Sequence, residues 1–255
     1  MTNADIGDAY ELSAPGWRRG AEQVYARLAD ALVASAPVAG TRVLDVGAGT
    51  AVAGAAAMSA GAARVVAVDL ATGMLRLRDP GVLAAAADAA RLPFGAGTFD
   101  LAVAALCLGH LPDPGTALVE LHRVAGAVVA SAFAPGWTHP AKAVVDEVMV
   151  GFGFTLPDWY RRVKGEGEAA ITNPNSWSRL ATGAGFTTSA AHVVEVDSGL
   201  RTPAEIVAWR FGMAHLAPFV ATLADPQRDR ARAAAEDAVA DVGPVLIPLL
   251  VLSAS

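Results

Sequence analysis

Residues 43–50 read Val43-Leu44-Asp45-Val46-Gly47-Ala48-Gly49-Thr50. A short apolar run ends in a glycine-rich turn and passes into an alanine-rich stretch, the pattern of a buried strand, a tight turn and a helix. Glycines at 47 and 49 let the backbone approach a ligand closely, and the helix N-terminus presents free N–H groups. Gly-x-Gly alone specifies little. A second strand, Val65-Val66-Ala67-Val68-Asp69, ends in an acid placed to accept two hydrogen bonds from ribose hydroxyls. That pairing suits dinucleotides and adenosyl ligands alike, and three details separate them. The dinucleotide fingerprint wants a third glycine where Val52 stands. Asp45 would repel a pyrophosphate but attract a cationic amino-acid end on a sulfonium ligand. A third acid, Asp88, follows the next strand, where it can accept from an adenine amino group.

Outward from this stretch, short apolar runs alternate with helical patterns. Residues 8–36 read as helical and stop at Pro37. Strands are predicted at 42–46, 64–68, 82–87, 99–106, 127–133, 190–196 and 245–252, with helices at 50–60, 72–78, 113–124 and through 203–240. Continuous apolar strands alternating with helices imply a parallel sheet covered on both faces. Asp113-Pro114 and Asp225-Pro226 place an acid at the N-cap before a helical proline, and Thr202-Pro203-Ala204-Glu205 is a full capping box. Between Trp137 and Gly185 the helices are broken by Gly and Pro and carry aromatics.

Composition narrows the function classes. The chain has 255 residues, 54% hydrophobic and 17% charged, which suffices for one folded domain. A net charge of −6, only two lysines (Lys142 and Lys164) and scattered arginines argue against a nucleic-acid groove or a polybasic membrane anchor. The single cysteine, Cys107, forms no internal disulfide, and the start of the chain lacks the features of a signal peptide. The expectation is therefore a cytoplasmic protein with no membrane and no nucleic-acid partner, as a monomer or homodimer.

Taken together, residues 43–50, Asp69 with Met74, and Asp88-Ala89-Ala90-Arg91-Leu92-Pro93-Phe94 resemble the class I S-adenosylmethionine-dependent methyltransferases, closest to their small-molecule group. Phe99-Asp100 and Gly109-His110-Leu111-Pro112-Asp113-Pro114 fit the same pattern. The likeness is close over 41–134 and loose over 245–252. It implies an α/β fold, a doubly wound Rossmann-like, mostly parallel seven-stranded sheet with a helical cap insert and an antiparallel last strand. It implies S-adenosylmethionine as cofactor, with Asp45, Gly47, Ala48 and Gly49 around its methionine part and Asp69 on the ribose. Leu70 and Met74 would flank the adenine, Asp88 and Ala89 would bind its edge, and the backbone near Leu106 would complete the cleft. The sequence departs from the family at Ala51, where a third glycine is usual and a methyl is expected to crowd the turn. It also lacks a Pro-Gly-Gly turn before the fifth strand.

Each of these residues also has a plainer reading. Asp69 is otherwise a strand-end cap, Asp45 a cap on the glycine turn, and Asp88 an N-cap. His110 follows the fourth strand, and His139 and His215 lie further on. Each is a candidate base near neutral pH, or else a turn or helix cap. The five histidines show no metal-ligand spacing, so no metal is expected. Cys107 reads as a small hydrophobe, and Glu166, Glu168 and Glu195 as a solvated face. All Trp and Tyr lie outside 41–134. They either cover an alanine-rich core or line an acceptor cavity.

One domain over 1–255 is expected, with an N-terminal helical cap (1–40), a cofactor-binding core (41–134), a helical substrate-cap insert (135–188) and C-terminal strands and helices (189–255). The predicted activity is methyl transfer to an O, N or C atom of a small, largely apolar molecule. A non-catalytic adenosyl-binding relative and a nicotinamide-dependent oxidoreductase remain the rivals.

Overall fold

In a computed structural model, residues 3–167 and 173–255 are described. Helices α1 (Asn3–Arg19) and α2 (Glu22–Val33) precede strand β1 (Arg42–Val46). Then follow α3 (Val52–Ser59), β2 (Arg64–Asp69), α4 (Thr72–Leu75), β3 (Leu83–Ala86) and β4 (Phe99–Ala105). After a 3-10 turn at Leu108–His110 come α5 (Pro114–Val124), β5 (Ala125–Phe133), α6 (Pro140–Gly151) and α7 (Asp158–Arg162), with a π turn at Val163–Gly167. The chain ends with α8 (Pro174–Gly183), β6 (Ser189–Asp197), α9 (Pro203–Phe211), α10 (Ala217–Thr222), α11 (Asp225–Ala238) and β7 (Leu246–Ala254).

The strands form one seven-stranded sheet in the order β3-β2-β1-β4-β5-β7-β6. β1 to β5 run parallel, and β7 is antiparallel to both β5 and β6, as expected for the last strand. The period of two in a strand sorts its residues cleanly. Val43, Val65, Ala67, Leu101, Val103 and Val129 face α2, α3 and the cap helices. Leu44, Val46, Val68, Ala102, Ala104 and Val128 face α5 and α8. Burial on both faces is why these strands read as unbroken apolar runs.

Three features differ from expectation. The helix predicted over 8–36 is two helices, broken at Gly20-Ala21. A Cβ on Gly20 would lie 1.9 Å from the carbonyl oxygen of Ala208, so α1 crosses α9 there with backbones in contact. The 135–188 region is not a single cap. α6 packs on α9 and α11, whereas α8 covers the other face against β6 and α5. Its Trp177 lies in the core on that side. The cap instead combines α1, the 140–165 region and helices α9 to α11. Finally, Ala224 rather than Asp225 is the N-cap of α11, and Asp225 pairs with Arg228 at 2.8 Å. Asp113 does cap α5, accepting from Gly115 and Thr116, and the Thr202–Glu205 box is formed. Glu168 lies outside the described residues, as does the side chain of Glu166. Among the described residues, no helix is long and apolar enough to cross a membrane.

Candidate active site

A cleft of about 960 Å³, counting its open mouth, lies beyond the carboxyl ends of β1, β2 and β4. Open α/β sheets bind ligands at this position. Its floor is the turn after β1, where Gly47 and Gly49 have φ of +62° and +55°. A Cβ at Gly47 would sit 2.5 Å from that of Cys107, so only glycine lets the turn pass the end of β4. Ala51, where a third glycine is usual, takes a left-handed φ of +57° with its methyl fully buried. That conformation costs a non-glycine residue about 1–2 kcal/mol, and burying the methyl returns about 0.8 kcal/mol. The methyl is thus accommodated in the core rather than projected into the cleft.

Asp69 lines the cleft and ties its two sides together. Its Oδ2 accepts from the Gly49 N–H at 2.7 Å and its Oδ1 from the Ala71 N–H at 2.8 Å. Burial raises this carboxyl, while the N–H groups of Ala71 and Gly49 pull it back. Leu70, Met74, Asp88 and Ala89 continue the same wall. The Asp88 carboxylate accepts from Ala90 at 2.9 Å, which holds its turn. Leu106 adopts φ +55° and donates its N–H to the backbone oxygen (3.1 Å) and hydroxyl (3.2 Å) of Ser131. A strained non-glycine residue held by two hydrogen bonds at a cleft edge is a feature of binding sites.

Asp45 stands elsewhere. It is not among the lining residues but fully buried behind the glycine turn, and its Oδ2 accepts from Gly54 N–H at 2.7 Å in the first turn of α3. Its other oxygen is buried without a hydrogen-bond partner among the described residues. Burial, more than the neighbouring Asp69, pushes this carboxyl up to about 7. Of its two sequence readings, the cap is the one the geometry matches.

The histidines separate as well. His110 lines the cleft at the end of the 3-10 turn, its ring 5.8 Å from that of Tyr10. Burial, and secondarily Lys164, push it down to about 4. His139 lies outside the lining, where its Nδ1 accepts from Ala141 N–H at 3.3 Å as the N-cap of α6. The Pro140 that follows favours that role by presetting the first helical turn. His215 is buried in the cap and is likewise absent from the cleft wall. Cys107 does reach the cleft, where its thiol donates to the Val46 carbonyl at 3.1 Å. Burial pushes the thiol up, which suits a spectator rather than a nucleophile.

The remaining walls come from the first helices. Ile6, Gly7, Tyr10 and Trp17 of α1 and Tyr25 of α2 line the cleft, and the Glu11 carboxylate accepts from Gly73 N–H at 2.6 Å, fastening α1 to α4. The absence of Trp and Tyr from 41–134 was the signal for Tyr10, Trp17 and Tyr25. Nothing in the sequence marked Glu11. Among the described residues, Asp69 and Asp88 are the charged side chains of the lining, and no group of three potential metal ligands occurs. Tyr10, Trp17 and Tyr25 form an aromatic wall of the same cleft. A glycine cradle, a carboxylate at the second strand end and an apolar slot beside Asp88 fit an adenosyl ligand. The buried, partnerless oxygen of Asp45 beneath the cradle does not fit an anionic pyrophosphate.

A family described as a methyltransferase domain matches residues 44–127. The demethylmenaquinone methyltransferase of Streptomyces avermitilis is 33% identical over 184 residues, covering 69% of this chain and 74% of the relative. Among solved structures, a putative methyltransferase from an antibiotic biosynthesis pathway of Anabaena variabilis aligns with a TM-score of 0.59 at 15% identity, covering 90% of this chain and 96% of that one. A Haemonchus contortus phosphoethanolamine N-methyltransferase, solved with S-adenosylhomocysteine, aligns at 0.51 and 20% identity over 85% of this chain and 48% of that one. The chain belongs to the class I S-adenosylmethionine-dependent methyltransferases.

Proposed function

We propose that this enzyme transfers a methyl group from S-adenosylmethionine to a ring carbon of a small, largely apolar aromatic molecule, a reduced naphthoquinone. The observation that carries this reading is the aromatic wall of Tyr10, Trp17 and Tyr25, which lines the cleft beside His110. Flat rings pack edge-to-face and offset against such walls. The demethylmenaquinone relatives point to the same acceptor class. The acidic chain with its scattered arginines supports a small molecule over nucleic acid, in the cytoplasm, as a monomer or homodimer.

In this reading Asp69 accepts from the ribose hydroxyls, Leu70 and Met74 sandwich the adenine, and Asp88 with Ala89 meets its edge. Gly47, Ala48 and Gly49 pass under the methionine part, Leu106 closes the cleft, and Asp45 acts through the turn it braces. The cofactor, when bound, would supply an electrophilic methyl and leave as S-adenosylhomocysteine, and the proton that the methyl displaces from the ring carbon would pass to solvent. The chain's own work is alignment and exclusion of water. Tyr10 and Trp17 hold the acceptor ring, and an imidazole nitrogen of His110 accepts a hydrogen bond from the ring hydroxyl, which raises electron density at the adjacent carbon.

Because His110 is held at about 4, it stays unprotonated through the neutral range, but it is too weak a base to take a phenolic proton completely. Its contribution therefore falls at the low end of general-base catalysis, about 10²-fold or less. His110→Ala should lower kcat about tenfold, leave S-adenosylmethionine affinity unchanged, and remove no limb from the pH profile between 6 and 9. Unchanged kcat would make His110 a turn residue. The acceptor itself is tested by incubating the enzyme, labelled S-adenosylmethionine and demethylmenaquinol with a short prenyl tail. A methylated naphthoquinone product is expected. Tight cofactor binding with no label transferred would overturn this acceptor.

A further inference from the structure

A polar cluster lies behind the acceptor site. α9 brings Arg210 into the cap interior, where only 2% of it is exposed and its Nη2 donates to Asp146 Oδ1 of α6 at 2.7 Å. His215 Nε2 stands 3.3 Å from the same guanidinium nitrogen and 4.0 Å from the same carboxylate. A buried ion pair of this kind adds little net stability over an apolar packing of the same volume, but it holds its neighbours in one arrangement. What it holds is a ring. The His215 imidazole stacks on Tyr160 of α7 with centroids 4.1 Å apart and planes 15° from parallel.

The segment bearing Tyr160 backs two of the residues assigned to the acceptor, Tyr10 and His110. Trp159 lies 5.5 Å from Tyr160 and 6.3 Å from Tyr10. The π turn at Val163–Gly167 packs on the Leu108–His110 turn. Residues 158–165 thus bridge from the helix that carries Tyr10 to the turn that carries His110.

We infer that Tyr160 and His215 are positioning residues for the acceptor site: their stack, clamped by Arg210 and Asp146, presses residues 158–165 against Tyr10 and the His110 turn and so sets the width of that site. The inference rests on the assignment of the aromatic wall of the cleft to the acceptor. It concerns residues that touch neither the acceptor nor the cofactor.

The test compares wild type with Tyr160→Phe, Tyr160→Ala, His215→Ala and the double alanine variant, each as the full chain saturated with S-adenosylhomocysteine. Amide hydrogen exchange is followed by mass spectrometry. Tyr160→Ala and His215→Ala should speed exchange in residues 158–165 at least tenfold, with β1, β2 and β4 unchanged and S-adenosylhomocysteine affinity within twofold. Tyr160→Phe, which keeps the stack, should stay within threefold of wild type. The double variant should exceed the larger single effect by less than twofold. With demethylmenaquinol as acceptor, Tyr160→Ala should raise the acceptor KM at least fivefold and leave the S-adenosylmethionine KM alone. Unchanged exchange in residues 158–165 of Tyr160→Ala would overturn the inference. So would an equal rise across the sheet strands, or a parallel rise in both KM values. If wild type does not methylate demethylmenaquinol, the acceptor assignment fails, while the exchange comparison still decides the clamp.

Discussion

Asp45, one residue short of the end of β1, and Asp69, at the end of β2, lie on neighbouring parallel strands, and burial gives them different work. With its carboxyl held at about 7 against about 3.9 in an unfolded chain, Asp45 binds a proton more tightly when folded. Its contribution to stability is complete below pH 4 and is lost as the pH rises through 7. Asp45→Asn keeps an acceptor for Gly54 N–H and removes the titration. The stability of wild type relative to this variant, from urea unfolding, should fall by about 2–3 kcal/mol between pH 5 and 8. His110 titrates in the opposite sense and is common to both proteins, so it cancels in the comparison. Asp69 is the complementary case, open to the cleft but bonded to the Gly49 and Ala71 N–H groups. Asp69→Asn should weaken S-adenosylmethionine binding by about 1.5–3 kcal/mol, measured by calorimetry. Asp69→Ala should lower the thermal midpoint as well, because it frees two backbone donors. An affinity loss without any stability loss in the alanine variant would show those two bonds to be dispensable.

Gly20 shows how an element boundary is set from far away in the chain. Gly20→Ala would drive a methyl onto the Ala208 carbonyl, and overpacking of this kind costs about 1–3 kcal/mol. The expected result is an undocked α1, seen as loss of Trp17 fluorescence burial and a higher acceptor KM, with the far-ultraviolet spectrum of the sheet retained. This contact also explains what the sequence concealed. Around Gly20 the chain reads as one helix, because the break comes from a crossing with α9 almost two hundred residues on. The strands, by contrast, were legible to within a residue or two, since apolar runs such as Val65–Val68 are bounded by glycine, proline or charge. The same holds for the glycine turn, Asp69, Asp88 and His110, whose spacing is local. The side taken by α8 was not legible, because an alanine-rich chain shows little amphipathic contrast. His139 misled because a histidine before proline serves equally well as a base or as a helix cap. The aromatic wall was visible only as a composition bias, and its residues, Tyr10, Trp17 and Tyr25, come from helices that precede the motif they serve.

At the scale of the whole molecule, the cleft occupies one end of the sheet, and both helices before β1 close it on one side. In the proposed reading the cofactor is held by turns at the ends of parallel strands, and the acceptor by α1, α2 and the His110 turn, so most of the acceptor wall can vary independently of the cofactor site. The position of β7 bears on how the chain is made. β7 is the last strand in sequence, yet it lies between β5 and β6, and it is the one strand with which β6 pairs. Until residues 246–254 leave the ribosome, β5 keeps an open edge and β6 has no sheet to join, while the helices of 203–238 have already been synthesised. A nascent chain stalled at residue 245 therefore presents two unpaired apolar edges at once, the situation in which strands recruit other chains. A chain truncated after Val245 should accumulate in the insoluble fraction, and supplying residues 246–255 as a separate peptide during refolding should return part of it to solution. Vectorial synthesis thus leaves the sheet exposed to aggregation until residues 246–254 arrive, and slow codons over that stretch would lengthen the exposure.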